Sequence, residues 1–273
     1  MSSPTSRVRA WPTLLLAIVW LAAPRVALAL SLSLTPPSVD VVIPAGASAQ
    51  VQVDVANGGD GALELRAYLY DWWHDETGTR FHPPGTVQRS AALWSSVLPT
   101  RIQVAARSQD RFTLNLEPPD DAVGGYYAVL WVEAASVLDP ASGSPSLGVG
   151  GRIGVMISVR IQGTGTEALV VDGVDIQPPT DSSPLAVSAQ VRNTGDVHLF
   201  PEARVVILDG EDQVSGRLDG ERAFAFPGQD TTLEARWGGE LEPGSYTALI
   251  TVLYGEGQAA TFERAFAVEG APP

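Results

Sequence analysis

The stretch Gln50-Val51-Gln52-Val53-Asp54-Val55-Ala56-Asn57-Gly58-Gly59 contains the pattern that decides the fold. Its valines stand at every second position, mostly polar residues stand between them, and Asn57-Gly58-Gly59 supplies a turn. Successive side chains of a β-strand point to opposite faces, so this spacing predicts a half-buried strand that ends near Asn57.

Similar short alternating runs recur along the chain, each bounded by Gly, Pro, Asn or Asp. They cover approximately 63–70, 102–104, 112–116, 127–131, 155–161, 185–191, 203–207, 232–237, 246–252 and 262–268. Many β-branched and aromatic residues in short runs between turn formers are typical of an all-β sandwich. No segment after the first thirty residues shows the pattern of an amphipathic helix, so we predict an all-β protein.

The runs form two sets with the same plan. In each set a strand ends in an Asn-x-Gly turn, at Asn57 and at Asn193, and a later turn with Gly leads to a tyrosine, Tyr126 or Tyr246. That tyrosine resembles the tyrosine corner of sandwich domains, which predicts a hydrogen bond from its hydroxyl to the nearby backbone. The Asn-to-Tyr interval is 69 residues in the first set and 53 in the second, and the excess lies mostly in 71–100.

The first thirty residues have the three parts of a secretory leader. Two arginines precede an apolar run of about 13 residues, which is shorter than the ~20 that a membrane-spanning helix needs, and Ala27-Leu28-Ala29 fits a small-x-small cleavage site. We therefore predict a signal peptide at 1–29, followed by two tandem immunoglobulin-like β-sandwich domains at 30–163 and 164–273. No membrane span is expected after cleavage, and the expected location is the periplasm, the extracellular space or the cell surface.

Composition narrows the classes of function. The formal net charge is −14, all basic residues are arginine, and the three arginines of the predicted leader make the remainder still more acidic. Such a chain is repelled by nucleic acids and by anionic membrane surfaces, so neither is expected as a partner. The sequence has no cysteine, so each domain must be stabilised by its own core without a disulfide.

Three stretches resemble exported bacterial proteins with immunoglobulin-like domains. Residues 33–57 resemble the opening of periplasmic pilus chaperones, and residues 94–128 are similar to the later half of the same domain. The second stretch is equally similar to the peptidoglycan-binding domain of WxL-interacting surface proteins. Residues 191–255 resemble the second domain of those surface proteins. These motifs are turns and strands, so they indicate the fold more than the partner.

The resemblance implies a non-catalytic protein, chaperone-like or an assembly factor for surface structures, that binds a partner polypeptide such as a pilin-like subunit through a strand edge or the interdomain groove. Pilus chaperones lend a strand edge to the subunit, and they hold its C-terminal carboxylate with an arginine in the first strand and a lysine in a late strand. This sequence has no basic residue between Leu30 and Leu65, so the first anchor is missing. The second anchor would be Arg152, whose alternative role is that of an ordinary surface charge.

Two sets of residues are candidates for partner binding. The alternating Val155, Ile157 and Val159 form either a donor edge or part of the core. Tyr68, Tyr70 and Trp72 share a face opposite Leu63, Leu65 and Leu69, so this aromatic face is outward if the leucines are core. It is then either an open aromatic platform or a face covered by the insert at 77–100. Such a platform fits sugar or peptide. A cell-wall glycan is therefore the alternative partner, and the protein would then be an envelope-binding surface module.

Enzymatic and metal chemistry find little support in the sequence. Nucleophile elbows, phosphate-binding loops and Cys/His pairs are absent. A hairpin between His74 and His82 would bring two possible ligands together, but this spacing without further ligands is a weak zinc or copper signal. We therefore predict no catalytic residues, no metal and no cofactor.

Overall fold

The computed structural model describes residues 31–75, 78–134, 150–180 and 182–269. Within these ranges the helical structure is a 3₁₀ turn, Ala92–Trp94, and no helix is long and apolar enough to cross a membrane. The predicted leader, 1–29, lies outside the described residues. The all-β prediction is confirmed, because strands account for nearly all of the regular structure in this part of the chain.

Ten strands form the first sandwich. They are β1 Leu32–Thr35, β2 Ser38–Ile43, β3 Ala49–Asn57, β4 Leu63–Asp75, β5 Gly78–His82, β6 Ser95–Leu98, β7 Arg101–Val104, β8 Ser108–Leu116, β9 Gly125–Ala134 and β10 Gly151–Ile161. One sheet has the order β1-β3-β8-β6, and the other has the order β2-β10-β9-β4-β5 with β7 also paired to β4. The inward side chains of both sheets form one core, in which Phe112, Leu130 and Ile157 are fully buried.

Seven strands form the second sandwich. They are β11 Leu169–Gln177, β12 Leu185–Asn193, β13 Glu202–Leu208, β14 Val214–Asp219, β15 Asp230–Trp237, β16 Gly244–Tyr254 and β17 Gln258–Val268. Their sheets have the orders β11-β12-β15 and β14-β13-β16-β17. The two-sandwich, immunoglobulin-like fold is therefore as predicted. The exact boundary between residues 163 and 164 remains a prediction, with β10 and β11 on either side of it.

The chain changes sheets at its first two strands. β1 pairs antiparallel with β3, the chain turns at Pro36-Pro37, and β2 then pairs parallel with β10 in the opposite sheet. The parallel register joins Ser38–Ile43 to Met156–Ile161, so it covers only the second half of β10. This switch decides which part of β10 keeps an open edge.

The internal repeat is visible in the turns as well as in the strands. Asn57 and Asn193 are both buried, and each donates its side-chain amide to backbone carbonyls of later turns. The two tyrosine hydroxyls also bond the nearby backbone. Tyr246 donates to the carbonyl of Glu242 at 2.8 Å, and Tyr126 accepts from the N–H of Val123 at 3.3 Å. The predicted hydroxyl-to-backbone bonds are thus confirmed in both domains.

Candidate functional site: an open strand edge beside an aromatic face

The side chains of Val155, Ile157 and Val159 lie in the core of the first sandwich and are fully buried. Of the two interpretations offered by their alternation, core is the one that the structure shows. Ile157 and Val159 are also paired on both sides, with Val39 and Val41 of β2 and with β9. The expectation of an edge at these two positions is wrong, because the local alternation does not reveal that a strand from the start of the chain lies alongside.

The first half of β10 has an open edge. Gly151–Val155 pairs with Leu130–Ala134 of β9 on one side. On its other side, no strand in the described part of the chain pairs with it, because β2 begins opposite Met156. The backbone N–H and C=O groups on that side form no strand ladder within the described ranges, although β1 of the opposite sheet passes close to β10. An edge without a ladder partner is the kind that can take an added strand.

The outer face of this sheet carries the aromatic residues. In the register of the three strands, Arg66, Glu133 and Arg152 form one row across the sheet, and Tyr68, Trp131 and Gly154 form the next. The guanidinium of Arg152 lies 4.3 Å above the ring centroid of Trp131, and its Nη1 is 3.5 Å from the hydroxyl of Tyr68. Arg152 is thus held against an aromatic surface at the open edge, a favourable cation–π arrangement.

Gly154 leaves room for Trp131. A Cβ at Gly154 would lie 2.9 Å from Cζ3 of Trp131 and 2.9 Å from Cγ2 of Val129, which is closer than atoms pack. The indole therefore extends across β10 towards the open edge, above the place where other residues would carry a side chain. The ring of Phe81 packs edge-on against the same indole, with the centroids 4.9 Å apart.

The predicted aromatic platform is only partly outward. Tyr68 and Tyr70 are half-buried, with ring centroids 5.7 Å apart. Trp72 shares their strand face but is buried, and its Nε1 donates to the carbonyl of Ile157 at 3.0 Å. The second domain covers it, because Phe226 packs on Trp72 with a centroid distance of 4.6 Å. The expectation that Trp72 is exposed is therefore wrong.

Trp72 belongs to an aromatic cluster that joins the two domains. We define this interdomain aromatic cluster as Trp72, Trp73, Tyr127, His198, Phe224 and Phe226. The centroids of Tyr127 and Phe226 lie 4.7 Å apart, and the His198 ring stacks on Phe224 at 5.2 Å. Burial raises the pKa of Tyr127 well above its ordinary value of 10. The insert at 71–100 thus contributes residues to the domain contact.

Polar groups line a groove of about 690 Å³ next to this cluster. His198 Nε2 lies 3.1 Å from Oδ1 of Asp40, and Arg160 donates to the carbonyl of His198 and also pairs with Glu167. The hydrogen bond from His198 lowers the pKa of Asp40, and the charges of His198 and Arg160 add to this effect although partial burial opposes it. Burial by itself would raise the pKa of Glu167, but the hydrogen bonds from the Glu256 N–H and from Arg160, together with the charge of Arg160, lower that pKa below its ordinary value.

This groove does not reproduce the carboxylate anchor that the resemblance implies. Arg152 is not among the residues that line it. Arg160 does line it, but its guanidinium is already bonded to Glu167 and to the carbonyl of His198. Asp40 adds a negative charge at the same place. Arg222, the other arginine that lines the groove, is paired with Glu202 at 3.8 Å. The groove is therefore poorly suited to a second carboxylate, because both of its arginines already have acidic partners.

The possible metal hairpin forms, but it separates the two histidines. β4 pairs with β5 so that Asp71 is opposite His82 and His74 is opposite Thr79. Residues directly opposite each other share a face, so His74 and His82 lie on opposite faces of the hairpin. No group of three or more candidate ligands occurs among the described residues. Asp71 instead anchors the following loop, because its buried carboxylate accepts from Ser90 Oγ at 2.5 Å and from the Thr86 N–H.

Several important residues were missed at the level of sequence. Trp131 stood in a predicted strand without a functional assignment, and the β10 register now places it beside Gly154. Phe224, Phe226 and His198 lie in second-domain loops with no strand alternation. The pattern Phe224-Ala225-Phe226, with two aromatic residues in a loop, was the one available signal, because large aromatic side chains in loops often mark contacts.

Comparison with known proteins gives a likeness in structure. No protein-family model matches the sequence, and no curated protein matches it. A chaperone–tip adhesin complex of CFA/I fimbriae contains a chain at 10% identity with a TM-score of 0.49, and the match covers 86% of this chain and 98% of that one. A class 5 fimbriae chaperone is 12% identical with a TM-score of 0.48, and the match covers 86% of this chain and 98% of that chaperone. A chaperone–tip adhesion subunit complex of Csu pili from Acinetobacter baumannii contains a chain that is 10% identical with a TM-score of 0.43. That match covers 85% of this chain and 97% of the other.

The solved structures that resemble this chain thus include pilus chaperones, the family to which the sequence also showed a resemblance. At such low identity the likeness concerns the two-sandwich fold. The role of this chain has to be inferred from its own edge and surfaces.

Proposed function

We propose that this chain is an exported, non-catalytic, chaperone-like protein that holds an extended segment of another exported polypeptide as an added strand. The observation that carries this proposal is the open edge of β10 at Gly151–Val155. An added strand there gains main-chain hydrogen bonds along the edge, and its alternate side chains meet the core side and the outer face. The sequence resemblance names a pilin-like subunit as the first partner to test.

Several features support this proposal. The edge belongs to β10, which pairs with β9 along nearly its whole length and with β2 from Met156 onward. The backbone of this edge is therefore held in place before a partner strand is added. Ile153 is packed against the core from the open half of β10 and offers an apolar contact to an added strand. The predicted leader at 1–29 fits export to the periplasm or the cell surface.

A photo-crosslinking experiment tests the binding place. A photoreactive amino acid replaces Arg152 at the open edge or, as a matched control, Arg192, an exposed arginine on the central strand β12. Cross-strand neighbours lie about 5 Å apart, so we expect an exported polypeptide to be linked at position 152 and not at position 192. Equal linking at both positions, or linking of a glycan instead of a polypeptide, would contradict the proposal.

Two proline variants test whether the backbone edge is used. Successive N–H groups along a strand point to opposite edges, so one of Arg152 and Ile153 donates towards β9 and the other towards the open side. We make Arg152→Pro and Ile153→Pro. Proline removes an N–H, which destabilises the fold only where that N–H bonds to β9, so the variant that keeps the wild-type melting temperature is the one whose N–H faces the open side. We expect that variant, which carries no photoreactive residue, to lose co-purification of the polypeptide that was identified by crosslinking at position 152. Full retention of that polypeptide would overturn strand addition.

A further inference from the structure

The outer face beside the open edge has a definite chemical character. Along the first half of β10 the outward positions are Arg152 and Gly154, and Ile153 points to the core side. An added strand therefore places one residue opposite Arg152 and another, two positions along, opposite Gly154 on the same face. The structure shows what these two residues would meet.

The residue opposite Arg152 would meet an exposed guanidinium that has no carboxylate within 4.0 Å among the described residues. Eight other arginines of the described chain lie within 4.0 Å of a carboxylate: Arg101, Arg107, Arg111, Arg160, Arg192, Arg204, Arg222 and Arg236. Neither Arg152 nor Arg66 forms such a pair within the described ranges, although Glu133 lies between them in the register. Each is stacked instead on an aromatic ring, Arg152 on Trp131 and Arg66 on Tyr68.

The stacking matters because it holds the guanidinium in place. A flexible surface arginine loses rotamer entropy when it forms an ion pair, which is why exposed pairs contribute little. Arg152 rests on Trp131 and contacts Tyr68, so its side chain is already partly ordered in the unbound protein and loses less rotamer entropy on binding. Its exposed donors remain available to a carboxylate, which a guanidinium can bind with two parallel hydrogen bonds.

The residue opposite Gly154 would meet an aromatic surface. Gly154 has no side chain, and the Trp131 indole covers it from the neighbouring strand. Aromatic side chains commonly cover a glycine in an adjacent strand in this way. Trp131 is itself buried, with 8% of its surface exposed. A large apolar residue on the added strand would cover the part of the indole that stays exposed across the glycine, whereas a small residue would leave that part in water.

We propose that the bound segment carries an acidic side chain opposite Arg152 and a large apolar side chain opposite Gly154, an inference that rests on the proposed function. The partner is therefore recognised by an acidic–x–apolar pattern on the outer face, in addition to backbone pairing.

Synthetic peptides test this pattern. The probes are fluorescein-labelled nine-residue peptides of alternating valine and threonine, with glutamate, glutamine or lysine at one threonine position and phenylalanine or glycine two positions away. Both orders are made, because parallel and antiparallel addition reverse the sequence of the two positions. We expect the glutamate–phenylalanine peptide to bind about three- to tenfold more tightly than its lysine counterpart, and replacing phenylalanine with glycine to weaken binding by a similar factor.

A charge exchange assigns the effect to Arg152. Arg152→Glu should reverse the preference between glutamate and lysine peptides, and Arg217→Glu, on the edge strand β14 of the second domain, should leave it unchanged. Binding of all peptides with equal affinity to the wild type would overturn the acidic–x–apolar pattern and leave strand addition intact. Absence of binding by every peptide, together with no crosslink at position 152, would overturn the proposed function itself.

Discussion

Asn57 and Asn193 show how single residues fix the turns of this fold. The Nδ2 group of Asn57 donates to the carbonyls of Gly61, Val104 and Ala105 at 2.8–3.1 Å, and its Oδ1 accepts from the Gly59 N–H at 3.0 Å. Asn193 makes equivalent bonds in the second domain. A buried asparagine with its hydrogen-bonding groups satisfied ties the end of one strand to two later segments.

Replacing Asn57 therefore has a large expected effect. Asn57→Ala leaves several buried backbone groups without a partner, so it should lower the free energy of unfolding by about 3 kcal/mol. Asn115→Ala is the matched control, because Asn115 is only half-buried and its side chain makes one long hydrogen bond, of 3.4 Å, to Ser96. Urea denaturation followed by circular dichroism measures both. A loss at Asn57 no greater than that at Asn115 would show that the network contributes little.

At the scale of the strand, local alternation predicted most elements and their inward residues. Phe112, Leu114 and Leu116 are inward as their spacing indicates, and so are Val53 and Val55. Alternation assigns a residue to a face, but it does not say what covers that face or lies beside the strand. The parallel pairing of β2 with β10 joins segments more than a hundred residues apart, and no local pattern encodes it.

The case of Trp72 illustrates the same limit. Its strand position correctly places it on the face of Tyr68 and Tyr70, opposite Leu65. Whether that face meets water depends on Phe226, which belongs to a loop of the other domain. The sequence therefore predicts which residues belong to the outer aromatic face, because they follow from the strand period. It does not predict which of them are buried, because that depends on how the two domains pack.

The packing of β4 against the second domain gives a prediction for this element. Trp72→Ala removes a buried indole and its hydrogen bond to Ile157, and it should lower the free energy of unfolding by about 4 kcal/mol. Trp72→Phe should recover more than half of this loss, because it restores most of the ring contacts. Leu93→Ala, at a side chain that is 70% exposed, is the control. Equal stability of the alanine variant and this control in urea titrations would refute the role given to Trp72.

At the scale of the whole molecule, apolar and polar contacts together fix the angle between the domains. The interdomain aromatic cluster supplies buried area, and the Gly125 N–H donates to the carbonyl of Asp196 at 2.9 Å. Asp40 of β2 and His198 of the second domain add a hydrogen bond across the boundary. β2 therefore has two roles, since it also determines where the open edge of β10 begins.

The bond between Asp40 and His198 makes the stability of the domain contact depend on pH. The pKa of Asp40 is held below its ordinary value of 3.8, first by the hydrogen bond to His198, so the folded state favours the carboxylate. This contribution is complete well above pH 3.8, and it is lost as the pH falls through the lower pKa of the folded state. Because the Asp40 side chain is half exposed, the contribution should be below about 1 kcal/mol.

Asp40→Asn tests this linkage. The wild type should be more stable than the variant at pH 6, and the difference should shrink as the pH is lowered from about 5 to below the ordinary carboxyl pKa. In a His198→Phe background, whose new ring suits the surrounding Phe200, Phe224 and Tyr127, the same substitution should have a much smaller pH-dependent effect, because only the charge of Arg160 then favours the Asp40 carboxylate. Urea titrations at each pH measure the difference. A gap between wild type and Asp40→Asn that stays constant down to pH 3, or whose pH dependence is undiminished in the His198→Phe protein, would mean that His198 does not hold the Asp40 carboxylate.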